Sequence, residues 1–166
     1  EKIHYIEPNN NLQVLDFGCG LGRNFRTIGE FGEVDAYDLP EMIERLNETV
    51  SAKVARSAYS DFDKVKQNKY DIGFCILSLQ QFEDAEELKQ KILEISSICS
   101  YIYIVTRCYI DDTLKSNIIK IIDDADVFDL VISNLNHYDF KNRKDETHGL
   151  FIYKSKNCEG SLDIIP

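Results

Sequence analysis

The stretch Val14-Leu15-Asp16-Phe17-Gly18-Cys19-Gly20-Leu21-Gly22-Arg23-Asn24 decides how this chain reads. Two apolar residues, a carboxylate and three glycines at alternate positions lead into a helical pattern, which predicts a strand, a tight turn and a helix N-terminus. Glycine belongs in such a turn because a ligand must approach the backbone where a Cβ would obstruct it, and because positive φ costs glycine least. A nucleotide-handling site is the expectation. Dinucleotide sites carry the order G-x-G-x-x-G. Here Gly18, Gly20 and Gly22 alternate, and Arg23 stands where the last glycine of that order would be.

Around this stretch the composition is that of an ordinary globular protein. The 166 residues are 29% charged and 43% hydrophobic, which suits one domain over 1–166 with a single core and excludes wholesale disorder. No apolar run approaches the ~20 residues of a membrane span. The opening Glu1-Lys2-Ile3-His4-Tyr5 lacks the apolar core of a signal peptide, so a cytoplasmic protein is expected. The five cysteines, Cys19, Cys75, Cys99, Cys108 and Cys158, form no C-x-x-C pair and read as free thiols, with no metal implied. A net charge of -10 repels phosphate backbones and disfavours a nucleic-acid substrate. The tight basic cluster Lys141, Arg143 and Lys144 is followed at once by Asp145 and Glu146, the pattern of a solvated loop.

In chain order, Pro8 and Asn9 to Asn11 predict a turn before a first strand at 12–17. A helix is expected over 23–31, with Phe25 and Ile28 facing the sheet. Glu33 to Leu39 then predicts a second strand ending in Asp38, twenty positions after Gly18, the separation at which an acid meets ribose hydroxyls. Asp38 equally suits the N-cap of a helix starting at Pro40 or Glu41. Asp35 lies too early to reach the strand end. A third strand is expected near 53–57. Tyr70 to Ile76 reads as a buried parallel strand, 84–97 as a helix burying Leu88, Ile92 and Ile95, and 101–106 as a strand. A helix at 112–125 and strands at 128–133 and 148–154 complete the pattern. Strands alternating with helices imply a right-handed parallel sheet, and a final pair joined without a helix implies one antiparallel strand.

The D-x-G-x-G-x-G order of Asp16 to Gly22 resembles motif I of the class I S-adenosylmethionine (SAM)-dependent methyltransferases. Asp38-Leu39-Pro40-Glu41-Met42-Ile43 is similar to motif II of that family with one residue missing. Tyr70 to Asp84 resembles its fourth-strand segment, with Leu79-Gln80-Gln81-Phe82 in place of a Leu-His-His-like tetrad. The resemblance spans about 12–154. It implies an α/β, Rossmann-like, doubly wound seven-stranded sheet in the order 3-2-1-4-5-7-6, mostly parallel with the last strand antiparallel. It implies SAM as cofactor and S-adenosylhomocysteine (SAH) as product. It sets Asp16, Gly18, Cys19, Gly20, Gly22, Asp38, Leu39 and Ile76 along the cofactor. For the adenine it offers Asp61 with Phe62, or the earlier register of Ser57 to Tyr59.

Methyl transfer from a sulfonium needs no metal or covalent enzyme intermediate, so positioning supplies much of the catalysis. Neutral Gln80 and Gln81 are poor bases, and no catalytic residue stands out. Arg107 and Tyr109, leaving the fifth strand, and His137, beyond the sixth, lie on the carboxyl side of the sheet and are the expected acceptor contacts, alongside Tyr138 and His148. No G-x-S-x-G elbow or P-loop occurs. The chain also lacks the Asn/Asp-Pro-Pro-Tyr segment and the Pro-Cys pair of nucleic-acid methyltransferases. A small-molecule acceptor is the first expectation and a protein acceptor the second. A catalytically silent SAM-binding or partner-binding domain is the alternative from another class.

Overall fold

The computed structural model describes residues 3, 5–8, 11–109, 117–139 and 146–165. Strands β1 (Leu12–Phe17), β2 (Gly32–Tyr37), β3 (Ser57–Tyr59), β4 (Tyr70–Ile76), β5 (Cys99–Tyr109), β6 (Phe128–Asp139) and β7 (Glu146–Ser155) form one sheet in the order β3-β2-β1-β4-β5-β7-β6. β1 to β5 pair in parallel, while β7 runs antiparallel between β5 and β6. The expected strand order and the reversed last strand are both present. Such a sheet brings the carboxyl ends of β1, β2 and β4 to one edge, where a crevice opens at the reversal of strand order.

Helices α1 (Phe25–Ile28), α2 (Pro40–Asn47), α3 (Phe62–Val65), α4 (Ala85–Ser96) and α5 (Ile118–Asp124) cover the sheet. On one face Val65, Leu88, Ile92, Ile95, Ile118 and Ile122 pack on Leu15, Cys75, Ile102 and Ile104. On the other, Phe25, Ile28, Ile43 and Leu46 pack on Val14, Val34, Ala36 and Phe74. Alternate residues of each strand therefore serve opposite layers, as the pleat requires. Asp84 caps α4 by accepting from Glu87 N at 2.8 Å, matching the expected start of that helix.

Several boundaries differ from the sequence expectation. α1 is one turn rather than the nine residues of 23–31, because the glycine turn runs on through Asn24, and β-branched Thr27 and then Gly29 favour helix poorly. β3 starts at Ser57 rather than near 53, since Val50–Lys53 forms a 3-10 turn that leaves Val50 and Val54 exposed. Its start is fixed from β2, where Val34 O accepts from Arg56 N at 2.7 Å. β6 and β7 extend to Asp139 and from Glu146, so residues 134–139 and 146–147, expected as loop, are paired strand, with register shifts between Leu130 and Ile132 and between Asn134 and Tyr138. Of the helix expected at 112–125, residues 112–116 lie outside the described residues. So do His4 and the cluster Lys141, Arg143 and Lys144.

Candidate functional site

At the carboxyl end of β1, Asp16 is 1% exposed, and its Oδ2 has no hydrogen-bond partner. Burial, reinforced by the charge of Asp38, pushes its carboxyl up to about 7. A buried carboxylate oxygen with nothing to accept from is costly unless a donor or cation meets it. The turn that follows is tied to β2, where Tyr37 O accepts from Gly18 N at 2.8 Å and from Cys19 N at 3.1 Å. Gly18 holds φ +75°, and a Cβ there would lie 2.3 Å from Ser78 Cβ. Gly20 differs: at φ +55° a Cβ would find only Met42 Cε, 4.0 Å away, so the space beside its backbone is open.

Asp38 is the hub of this edge. Its Oδ2 accepts from Gly20 N and its Oδ1 from Leu39 N, each at 2.7 Å. The helix-cap reading is not what forms, because Leu39 is the N-cap of α2 and no side chain caps it. The carboxylate instead clamps the glycine turn to β2, and each oxygen keeps a lone pair for a further donor. Leu39 beside it is 61% exposed, a large apolar side chain at the rim of the crevice. The buried Cys19 thiol is pushed up by burial and then by the charges of Asp16 and Asp38, so it is an apolar wall and not a nucleophile.

Beyond β3, Tyr59 O accepts from Asp38 N at 3.2 Å, which brings 59–61 alongside Asp38. Asp61 is exposed and caps α3, with Oδ1 accepting from Asp63 N at 3.0 Å. The Phe62 ring is buried against Phe17 and Tyr37, with centroids at 5.8 and 4.9 Å, and Lys91 Nζ lies 4.0 Å over it. At the end of β4, Ile76 is half-buried, and Leu77 takes φ +58°, a left-handed conformation that a branched side chain adopts only under constraint. Ser78 Oγ, just past β4, and Thr106 Oγ1, within β5, are buried without partners. These hydroxyls and the strained Leu77 were not among the expected site residues, and nothing in their spacing distinguishes them from core positions.

Gln80 is buried, and its Oε1 accepts from Arg107 N at 3.3 Å, joining the segment after β4 to the end of β5. Arg107 is half-buried and stands directly opposite buried His148 in the β5–β7 register. Asn134 Nδ2 donates to Tyr5 Oη at 3.0 Å, bringing the N-terminal segment onto β6. Tyr109 and His137 fall in β5 and β6, and their side chains lie outside the described residues. Among the described residues no cluster of His, Cys, Asp and Glu could hold a metal, and no helix is long and apolar enough to cross a membrane.

A family model described as a methyltransferase domain matches residues 15–98, half of the chain, from within β1 through α4. The chain belongs to the methyltransferase-domain family. Membership agrees with the motif resemblances at Asp16 to Gly22 and Asp38 to Ile43 and with the expectation of a methyltransferase enzyme. Solved structures show the same fold at low identity. A SAM-dependent methyltransferase from Methanosarcina mazei is 12% identical, with 89% of this chain and 93% of that one covered at TM-score 0.67. Magnesium protoporphyrin IX methyltransferase from Synechocystis, solved with bound SAM, is 19% identical over 87% of this chain and 70% of that one, at TM-score 0.61. The cyclase SpnF is 10% identical over 89% and 76%, at TM-score 0.66. No curated protein matches this methyltransferase domain in sequence.

Proposed function

We propose that this methyltransferase domain binds SAM at the carboxyl edge of β1, β2 and β4 and transfers its methyl group to a small-molecule acceptor by in-line displacement. The observation that carries the reading is the open space over Gly20, flanked by the unpartnered Asp16 oxygen and the Asp38 carboxylate. The donor set fits a ligand that is cationic at one end and carries vicinal hydroxyls at the other. Asp16 would meet the methionyl ammonium, the Gly18 to Gly22 turn with Cys19 would back the ligand, and Asp38 would accept from the ribose hydroxyls. Leu39 and Ile76 would supply apolar walls, and Asp61 or the end of β3 would meet the adenine. When bound, SAM supplies an electrophilic methyl group on a sulfonium.

This chain's own contribution is positioning. Gln80, fixed on Arg107 N, holds the end of β4 against that of β5. Arg107, Tyr109 and His137, on strands β5 and β6, are assigned to the acceptor. A neutral amine or a ready-formed anion needs no general base, which matches the neutral Gln80 and Gln81. Cys19, Cys75 and Cys99, all buried and free, suit the reducing cytoplasm.

Calorimetry with SAM, SAH and NAD tests the cofactor. SAM and SAH bind, NAD does not, and Gly20→Val abolishes binding because its side chain fills the open space; NAD binding without SAM binding overturns the reading. A silent SAM-binding domain is the second reading, supported by a fold that it shares with a protein described as a cyclase. SAM turnover with any member of an acceptor panel of amines, phenols, carboxylates and peptides excludes it.

A further inference from the structure

One cross-strand rank leads from the crevice to the far edge of the sheet. Ile76, at the end of β4, pairs with Val105 of β5, Val105 with Leu150 of β7, and Leu150 with Asn134 of β6. Directly paired residues share a face, and Ile76, Val105 and Leu150 all belong to the apolar layer that also holds Cys19 of the glycine turn. The rank is an apolar floor that starts beside the crevice and ends at an amide. Over its far end lies a small ribbon outside the seven strands. Ile6 and Ile164 bridge antiparallel, flanked by Glu7 N donating to Asp163 O at 3.2 Å and Ile165 N to Tyr5 O at 2.9 Å. Asn134 Nδ2 donates to Tyr5 Oη at 3.0 Å, and Tyr5 keeps that place at φ +70°, a left-handed conformation that a tyrosine takes only under constraint. Tyr5, Ile6 and Ile164 pack on the same apolar layer as the rank. A cover held by a few hydrogen bonds and one strained residue opens at far lower cost than the sheet beneath it.

We propose that this ribbon is a movable cover of the acceptor site, and that the acceptor carries an uncharged apolar ring or chain which lies on Ile76, Val105 and Leu150. The proposal rests on the SAM reading above and names the acceptor class for the same site. Leu150 is fully buried and Val105 only 7% exposed, whereas Ile76 at the inner end is half-buried, so an acceptor reaches the whole floor only when the ribbon lifts. The bond between Asn134 and Tyr5 is the latch. An aliphatic floor offers a ligand neither charge nor hydrogen bond, so it selects by apolar area. With the body of the acceptor on the rank, its nucleophile points toward the end of β4, where the rank meets the crevice. Closure then keeps water from the reacting atoms and holds the acceptor in place.

The backbone bonds flank the Ile6–Ile164 pair instead of joining it, the arrangement that sets Cα atoms ~4.5 Å apart and within the span of a disulfide. Ile6→Cys/Ile164→Cys oxidised with diamide therefore locks the cover, and dithiothreitol releases it. The chain has no tryptophan, so the fluorescence of indole, 2-naphthol and the charged 2-naphthalenesulfonate reports their binding to SAH-loaded protein in stopped flow. At least one of the two uncharged probes binds, roughly tenfold or more tighter than the sulfonate. Its association is slowed about tenfold or more by the lock relative to the same protein reduced, while diamide leaves the wild type unchanged. Tyr5→Phe, which removes the acceptor of the Asn134 amide, speeds association, and Val105→Thr, which puts a hydroxyl on the floor, weakens the probe. SAH affinity by calorimetry is the same in all of these proteins. No binding by either uncharged probe, equal binding of the sulfonate, equal association in locked and reduced protein, an unaltered rate in Tyr5→Phe or an unaltered affinity in Val105→Thr overturns the proposal. Protein that fails to bind SAH at all overturns the cofactor reading instead.

Discussion

Asp16 carries the sharpest electrostatic consequence of the site. Its carboxyl, pushed up to about 7 chiefly by burial and then by Asp38, holds a proton in the native state that an unfolded aspartate releases near pH 4. Between those values the native state binds more protons than the unfolded one, so stability falls as pH rises, by on the order of 4 kcal/mol across the window. Ligand-free protein melted at pH 5 and at pH 7.5 loses more stability over that interval than Asp16→Asn, which has no proton to give up. A cationic ligand end beside Asp16 favours the ionised form, so SAM affinity rises over the same interval in the wild type and not in the variant. Asp38→Ala removes acceptors from Gly20 N and Leu39 N as well as from the ribose. Calorimetry is expected to show SAM binding weaker by about ten- to a hundredfold, roughly 1.5–3 kcal/mol, together with a lower melting temperature. Unchanged affinity would reduce Asp38 to a clamp of the glycine turn. The spacing of Asp38 from Gly18 was legible because chain separation sets which strand ends can meet. Its bonds to the turn were not, because they depend on where Gly20 folds back.

The elements were most legible where burial dictates every residue, as in β4 and α4, and least where two signals compete. A strand near 53–57 is the expectation from the sequence, but Arg56 decides the matter. Its guanidinium grips Asp35 in a bidentate pair, Nε to Oδ1 at 2.9 Å and Nη2 to Oδ2 at 2.5 Å, and it also meets Glu33 and Gln13. Tyr70 OH donates to the same Asp35 carboxylate at 3.0 Å, so β2, β3 and β4 share one buried charge. A register set by a partner 21 residues away is invisible to local pattern. Asp35→Ala leaves Arg56 and Tyr70 without their acceptor and is expected to lower unfolding free energy by about 3 kcal/mol, read as an earlier urea midpoint. SAH affinity is expected to stay where it was, because Asp35 lies on the amino side of the crevice. A variant as stable as the wild type would show that Glu33 and Gln13 suffice to hold Arg56.

At the scale of the molecule, the two faces of the sheet are finished differently. α3, α4 and α5 cover one face, whereas on the other α1 and α2 pack with residues of β1, β2 and β4. Over β5, β7 and β6 the cover comes from the two ends of the described chain. Ile3, Tyr5, Ile6, Leu162 and Ile164 pack on that apolar layer. Ile6 and Ile164 form an antiparallel bridge, with Glu7 N donating to Asp163 O at 3.2 Å and Ile165 N to Tyr5 O at 2.9 Å. Tyr5 is bent to φ +70° within this clasp and delivers its phenol to Asn134. Ile6, 2% exposed, is the anchor, and Ile6→Ala is expected to cost about 2 kcal/mol, the lower end for a buried aliphatic truncation because one side of the site can collapse. The distribution of that loss is more telling than its size. A clasp of a few hydrogen bonds opens sub-globally, so hydrogen exchange of the Glu7 and Ile165 amides accelerates in the variant while amides in β1 and β4 keep their protection relative to global unfolding. Uniform acceleration across the sheet would mean that the termini fold and unfold with the core. Unaltered exchange at Ile165 would mean that Ile6 packs on the sheet without holding the clasp, and that Tyr5 is placed by Asn134 alone.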